Sequence, residues 1–123
     1  MTTFTKFADC DTAAIAKDAT EVTISGAPEH TSWPHFVSAD EQMKSGVWQS
    51  TAGVFRGPMN NQVEFCHILE GEALIKTEDG KEYTVRAGDA FVMDNGLQPV
   101  WHVTEFVKKH FVIMVVPATT EWP

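Results

Sequence analysis

The chain of 123 residues is long enough for one domain with a substantial core and too short for two. Apolar residues make up 43% and charged residues 21%, an ordinary globular composition that argues against disorder. The net charge of −8, with nine scattered basic residues, excludes nucleic acid and anionic membrane surfaces as expected partners.

The sequence predicts a cytoplasmic protein. No run of 18 apolar residues is present, and residues 1–18 lack the basic start and apolar block of a secretory signal. The two cysteines, Cys10 and Cys66, are far apart and have no metal-type spacing. We therefore expect two free thiols in a reducing compartment.

Residues 1–45 are less regular than the rest of the chain. Asp11–Ala19 is compatible with a helical turn or two, and Val22–Ile24 with a short strand. Pro28, Pro34 and the polar residues between them favour an extended conformation. We predict that this segment is an N-terminal arm that packs on the outside of the main domain or on a partner subunit.

Residues 46–123 show short β-type runs separated by turn residues, and this part is the predicted barrel. The Asp79-Gly80 pair between two alternating runs predicts a hairpin, because both residues tolerate positive φ. The last run could be a buried strand or a buried helix by periodicity alone, but its β-branched residues and the following Pro117 favour a strand. The predicted strands are Val47–Phe55, Val63–Leu69, Ala73–Thr77, Glu82–Val85, Ala90–Met93, Val100–Val103 and Val107–Val116.

Strands at intervals of about ten residues, with no strong helix between them, are typical of a β-sandwich or β-barrel. The sequence therefore predicts an all-β domain.

Three ordered motifs resemble those of the cupins. Glu64 and Gly71 match an E-x6-G motif, while Gly88 and Gly96 match a G-x5-P-x-G motif in which Asp94 replaces the proline. The downstream stretch 101–111 is similar to the W-x-V-x-E-x-V-(R/K)-K-H-(Y/F) ending of a small single-domain family. That family is related to the cupin domain of (S)-ureidoglycine aminohydrolase, and its C-(H/Y)-I-L-E-G sequence is present at 66–71.

The resemblance covers about residues 46–115 and implies a double-stranded β-helix, that is, a jelly-roll barrel; an up-and-down barrel is the alternative. It also implies that Glu64 points into the barrel. Strand alternation puts Cys66 on the same face as Glu64 and His67 on the other. A carboxylate in that interior needs a cation or a hydrogen-bond donor, and Lys109 and Arg56 are the expected counter-charges.

The resemblance does not extend to a metal site. Metal-binding cupins hold the ion with H-x-H, a glutamate and a later histidine, and only Glu64 of these four ligands is present here. One carboxylate does not hold an ion tightly, so no cofactor is expected, with manganese or zinc on unrecognised ligands as the alternative.

The other candidate site residues each have a structural alternative. Trp48 and Trp101 either wall a pocket or belong to the core. Cys66 is either a pocket residue or a small buried hydrophobe. Arg56 either receives a ligand carboxylate or is solvated. His110, like Lys109, reaches the interior only if a turn near Glu105 resets the strand alternation.

Three functions remain open on these grounds. The first is a homodimeric pocket protein that binds, and as an enzyme transforms, a small polar nitrogen-containing metabolite, with Glu64 and Lys109 as catalytic groups. The second is a metal-dependent enzyme like ureidoglycine aminohydrolase, and the third is a non-catalytic binding or sensor module. The sequence alone does not decide whether the protein is an enzyme.

Overall fold

A computed structural model of the protein describes residues 2–116, which form one short 3-10 helix and eight β-strands. The helix spans Phe7–Asp9. The strands are β1 Ile15–Lys17, β2 Thr23–Gly26, β3 His30–Val37, β4 Met43–Arg56, β5 Gln62–Lys76, β6 Glu82–Arg86, β7 Ala90–Met93 and β8 Val100–Val115. The described part of the chain contains no helix with the length and apolar character needed to cross a bilayer.

All strand pairs are antiparallel, and their order confirms the predicted all-β jelly-roll barrel. The main path through the sheet is β1-β3-β4-β8-β5-β6, while β2 pairs with β4 and β7 pairs with β5. Because β8 lies between β4 and β5, neighbours in space are not neighbours in sequence, as they would be in an up-and-down barrel. The three long strands β4, β5 and β8 pair in the order β4-β8-β5, and register shifts divide each of the two ladders into separate stretches.

Two pairs of predicted strands each form one continuous strand. One pair, Val100–Val103 and Val107–Val116, corresponds to β8. Val63–Leu69 and Ala73–Thr77 both fall within β5, apart from Thr77, and the register against β8 shifts on either side of Gly71. Gly71 has φ +75°, and a Cβ at this position would overlap the backbone carbonyl of Phe106. A turn residue in the sequence is therefore a bend in the structure, because the ladder resumes after it.

Residues 1–45 contribute strands to the same sheet. β2 pairs with the second half of β4, and β3 pairs with its first half. The helical turn predicted over Asp11–Ala19 is wrong: β1 occupies part of this segment and pairs with β3. The β1–β3 ladder satisfies the backbone groups that a short helix without a strong apolar face would have had to satisfy alone. The division of the chain into an arm and a barrel at residue 45 stays a prediction.

The core lies inside the barrel and is rich in aromatic and β-branched side chains. Phe55 and Trp101, paired across β4 and β8, stack with ring centroids 6.2 Å apart and planes 9° from parallel. Ile68 and Val107 are completely buried. Residues 117–123, including Pro117, lie outside the described part of the chain. The last predicted strand, Val107–Val116, falls within β8 apart from Val116.

The bend at Gly71 provides a test of the fold. Gly71→Ala should lower the free energy of unfolding by more than about 3 kcal/mol, because the new methyl group adds a backbone overlap to an unfavourable positive φ. Gly80→Ala is the matched control, since Gly80 has φ +82° but open space around its Cβ position, and should lose about 1–2 kcal/mol. Urea unfolding followed by tryptophan fluorescence measures both, and equal losses would contradict the predicted close approach.

Candidate functional site

Three strands, β4, β5 and β8, bring their inward-facing side chains together on one concave surface. Register pairs Ile68 of β5 with Lys109 of β8, and Lys109 with Trp48 of β4. Glu64 and Cys66 lie four and two residues before Ile68, so the alternation of β5 directs all three to the same face. This arrangement places the acid, the thiol and the amine side by side inside the barrel.

Lys109 and Glu64 form a buried ion pair. The Lys109 Nζ and Glu64 Oε2 atoms are 2.7 Å apart, and each side chain is only 7% exposed. The Cys66 thiol also donates to Glu64 Oε2 at 3.2 Å, and its Sγ lies 3.5 Å from Lys109 Nζ. The cation predicted for the Glu64 carboxylate is thus supplied by Lys109.

Two indole rings surround the same ammonium group. Lys109 Nζ lies 4.7 Å from the ring centroids of both Trp48 and Trp101. A cation over the face of an indole is attracted by the ring quadrupole, and the attraction is stronger where water is excluded. The ammonium group is therefore fixed by one carboxylate, one thiol and two aromatic faces.

The protonation states follow from these contacts. Burial raises the pKa of the Cys66 thiol to about 12, so Cys66 is a neutral donor near pH 7. Burial favours the neutral amine of Lys109, but the neighbouring Cys66 and Glu64 outweigh it and raise the pKa of Lys109. Because Cys66 stays a thiol, the Glu64 carboxylate is the charge that holds Lys109 protonated.

A cavity of about 460 Å³ opens beside the ion pair, which forms part of its wall. Trp48, Trp101 and Phe55 supply aromatic surface to the cavity, and Arg56 lies on its lining as well. This volume is in the usual range for small-molecule sites. Five predicted site residues, Glu64, Lys109, Trp48, Trp101 and Arg56, therefore share one cavity wall.

The family model of the EutQ-like cupin domain matches residues 37–111, more than half of the chain. The chain belongs to the EutQ-like cupins.

Solved structures show the same cupin fold. A protein of unknown function from Pseudomonas syringae pv. tomato is 24% identical, with a TM-score of 0.73 over 83% of this chain and 44% of that one. The EutQ protein of Clostridium difficile is 14% identical, with a TM-score of 0.64 over 76% of this chain and 68% of that one. A DUF861 family protein from Thermotoga maritima is 37% identical, with a TM-score of 0.50 over 53% of this chain and 73% of that one.

The cupin described here thus spans less than half of the length of the P. syringae protein. A comparison with curated proteins found no match.

Two of the predicted site residues, Cys66 and Arg56, lie outside the ion pair. Cys66 is completely buried outside the cavity lining, and its thiol donates a hydrogen bond to Glu64. Arg56 is exposed, and its Nη2 donates to the Glu21 carbonyl at 2.7 Å, so Lys109 alone of the two expected counter-charges pairs with Glu64.

His110 does not face the cavity, which corrects the prediction of a pocket role for it. Its ring packs against Phe7 with centroids 5.4 Å apart and lies 6.0 Å from the ring of His67. The alternation of β8 continues from Trp101 through Lys109, so the next residue must point to the other face.

His30 is a cavity residue that sequence reasoning missed. It comes from β3, is 8% exposed, and packs edge-on against Phe55 and Trp48 at 4.4 and 5.0 Å between centroids. Its Nε2 atom is buried with no hydrogen-bond partner in the described part of the protein. Burial, with a smaller effect from the Lys109 charge, lowers the pKa of His30, so the ring is neutral near pH 7. Only the alternation of His30 and Ser32 with bulkier residues could have indicated an inward-facing position.

The side chains of this cupin do not fit the metal site known from metal-binding cupins. Within residues 2–116, no three His, Cys, Asp or Glu side chains converge as metal ligands. The one carboxylate that matches the ligand pattern, Glu64, is occupied by the Lys109 ammonium group, which would repel a metal cation at the same oxygen.

The buried ion pair makes a prediction about stability. Lys109→Met should cost about 3–5 kcal/mol of unfolding free energy, because it leaves the Glu64 carboxylate buried without a partner. Combining it with Glu64→Leu should restore most of the loss, since no unpaired charge remains. Arg86→Met is the control: the Arg86–Glu72 pair is more than half exposed, so its loss should cost less than about 1 kcal/mol. Guanidinium unfolding would contradict the interpretation if the double variant were as unstable as Lys109→Met.

The raised pKa of Cys66 makes a prediction about thiol reactivity. In the native protein at pH 8, a disulfide reagent should modify one thiol per chain, at the partly exposed Cys10, while Cys66 stays unmodified. In denaturant both should react. Mass spectrometry of the labelled peptides identifies the site, and rapid native labelling of Cys66 would show that its thiol is accessible or ionised.

Proposed function

We propose that this EutQ-like cupin binds a small polar, nitrogen-containing metabolite in the barrel cavity and that Glu64 anchors it there. The observation that carries the proposal is the ion pair between Glu64 and Lys109 in the cavity wall. A binding function is favoured over a purely structural one for three reasons, given below.

The first reason is the cost of burying two charges. Desolvation of a buried ion pair commonly offsets its Coulomb attraction, so apolar side chains of the same volume stabilise a barrel at least as well. Other inward-facing positions of this barrel carry such apolar residues, for example Ile68 and Val107. A buried pair at the edge of a cavity is thus better explained by a ligand than by stability.

The second reason is the free oxygen of the carboxylate. Both hydrogen bonds to Glu64, from Lys109 and from Cys66, go to Oε2. Among residues 2–116 no donor reaches Oε1, and this atom is not fully enclosed by protein. An N–H group of a ligand would complete the hydrogen bonding of Oε1, which favours amines, amides and ureides.

The third reason is the fixed orientation of the pair. Lys109 is held by the two indoles and Glu64 by Lys109 and Cys66, so Oε1 keeps its position when the cavity is empty. Such pre-organisation lowers the entropy lost on binding. For a reacting ligand, the same carboxylate is placed to accept a proton from an N–H or C–H group as a general base.

The resemblance of stretch 101–111 to the ureidoglycine aminohydrolase relatives adds ureides to the ligands to be tested. A metal-dependent version of that reaction is not supported by the donor set, as described above. The candidate reaction of this cupin is therefore one of binding or proton transfer by Glu64, with Lys109 as its positioning partner.

Calorimetric titration of ureides, amino acids and keto acids tests the proposal. The Glu64→Gln variant should bind the best ligand at least about tenfold more weakly, because a hydrogen bond to a charged group contributes about 1.5–3 kcal/mol. Glu72→Gln, which changes an exposed carboxylate of the same strand, should bind like the wild type. Near-ultraviolet circular dichroism confirms that the variant is folded. Unchanged affinity in folded Glu64→Gln protein would refute the role of Glu64.

A further inference from the structure

The charges around the cavity are opposite in sign to those of the whole protein. The chain has 17 acidic and nine basic residues. Four of the nine basic residues line the cavity, namely Lys17, Lys44, Arg56 and Lys109, whereas Glu64 is the single acidic residue of the lining within residues 2–116. A local excess of three positive charges thus occurs on a molecule with a net charge of −8.

Three of these cations have no acidic partner among the described residues, although Arg56 Nη2 donates to the uncharged Glu21 carbonyl. Lys109 is neutralised by Glu64, but in the described part of the chain neither Lys17 nor Lys44 nor Arg56 forms a salt bridge. The other ion pairs there use cations away from the cavity, at 76, 81 and 86. Unpaired cations at the edge of a cleft with low-dielectric walls concentrate positive potential and attract anions.

The sheet register explains how residues distant in the sequence surround one opening. Lys44 pairs with Ile113, which pairs on its other side with Glu64, so all three point to the concave face. Lys17 pairs with His30, which places it on that face at the outer strand β1. Lys17, Lys44 and Arg56 are all exposed, so they form the mouth of the cavity, while Glu64 and Lys109 lie deeper.

Below the mouth, the cavity has aromatic walls. Trp48, Phe55 and Trp101 provide flat apolar surface there. The neutral ring of His30 packs edge-on against Trp48 and Phe55 and adds no charge to this part of the lining.

We propose that the ligand of this cavity is an organic carboxylate with a flat, largely apolar body. Its acid group is held by the exposed cations of the lining, Lys17, Lys44 and Arg56. Its body lies along Trp48 and the neighbouring rings. This inference rests on the proposed function of the cavity and adds the charge and shape of the ligand to it.

A matched series of probes separates charge from shape. Indole-3-acetate, indole-3-acetamide and tryptamine share one flat body with an N–H group and carry a charge of −1, 0 and +1 at neutral pH. Calorimetry at 50 mM salt should give an affinity for the acetate at least tenfold above that for the amide, and the lowest affinity for tryptamine. Raising the salt to 0.5 M should reduce the preference for the acetate, because exposed charges are screened.

Variants of the mouth identify the groups responsible. Lys44→Gln and Arg56→Gln should each weaken acetate binding about three- to tenfold and leave amide binding unchanged. Lys76→Gln is the control, since Lys76 carries the same charge away from the cavity and should bind both probes like the wild type.

The outcomes distinguish this inference from the proposed function. Equal affinity for acetate and amide, or a preference for tryptamine, would overturn the carboxylate assignment while the cavity remained a binding site. Absence of binding by all three probes up to 5 mM would overturn the inference, while the titration of ureides, amino acids and keto acids against Glu64→Gln tests the proposed function separately. Acetate binding that Lys44→Gln and Arg56→Gln do not weaken would also refute the assignment, because it would place the acid group elsewhere.

Discussion

The ion pair between Lys109 and Glu64 is the interaction on which the interior of this cupin depends. Its two charges come from two neighbouring strands, β5 and β8, and the pair is surrounded by Cys66 and two indole rings. In such surroundings either charge alone would strongly destabilise the folded state. The folded barrel therefore requires both charges to be paired. The register of β5 against β8 and the inward orientation of Trp48 and Trp101 must all be met before the pair can form.

The pair also divides the cavity into parts with different chemistry. At the base, the ammonium and carboxylate cancel each other and leave one carboxylate oxygen without a donor among the described residues. At the mouth, three cations are uncompensated within the described residues. A ligand that bears both an N–H group and an acid group would satisfy both parts, which links the nitrogen-containing metabolite of the proposed function to the carboxylate of the further inference.

Much of the barrel was predictable because its strands obey simple alternation. From Glu64, the two-residue period gives the position of Cys66. For Lys109 and His110, an inward position was expected only after a parity change near Glu105. No such change occurs: the count from Trp101 leaves Lys109 inside and His110 outside. The breaks predicted between strands were also bends, because Gly71 turns β5 without ending it.

The part of the site in β3 was not predictable, because there polar side chains point inward and a large apolar side chain lies on the other face. His30 and Ser32 point inward, while Trp33 lies half-buried on the other face beneath the Lys108 ammonium group. Polar residues that line a cavity look in the sequence like residues exposed to solvent. Pro34, which suggested an extended arm, lies where the register between β3 and β4 shifts and is accommodated there.

The boundary of the family match divides the cavity in two. Residues 37–111 contain the ion pair, both indoles, Lys44 and Arg56, whereas Lys17 and His30 are supplied by strands that precede the matched region. The wall built by β1 and β3 is joined to the shared barrel by ordinary backbone ladders, whose formation does not depend on which side chains they carry. Substitutions at Lys17 and His30 would thus alter the lining of the cavity from outside the matched region and leave the Lys109–Glu64 pair in place.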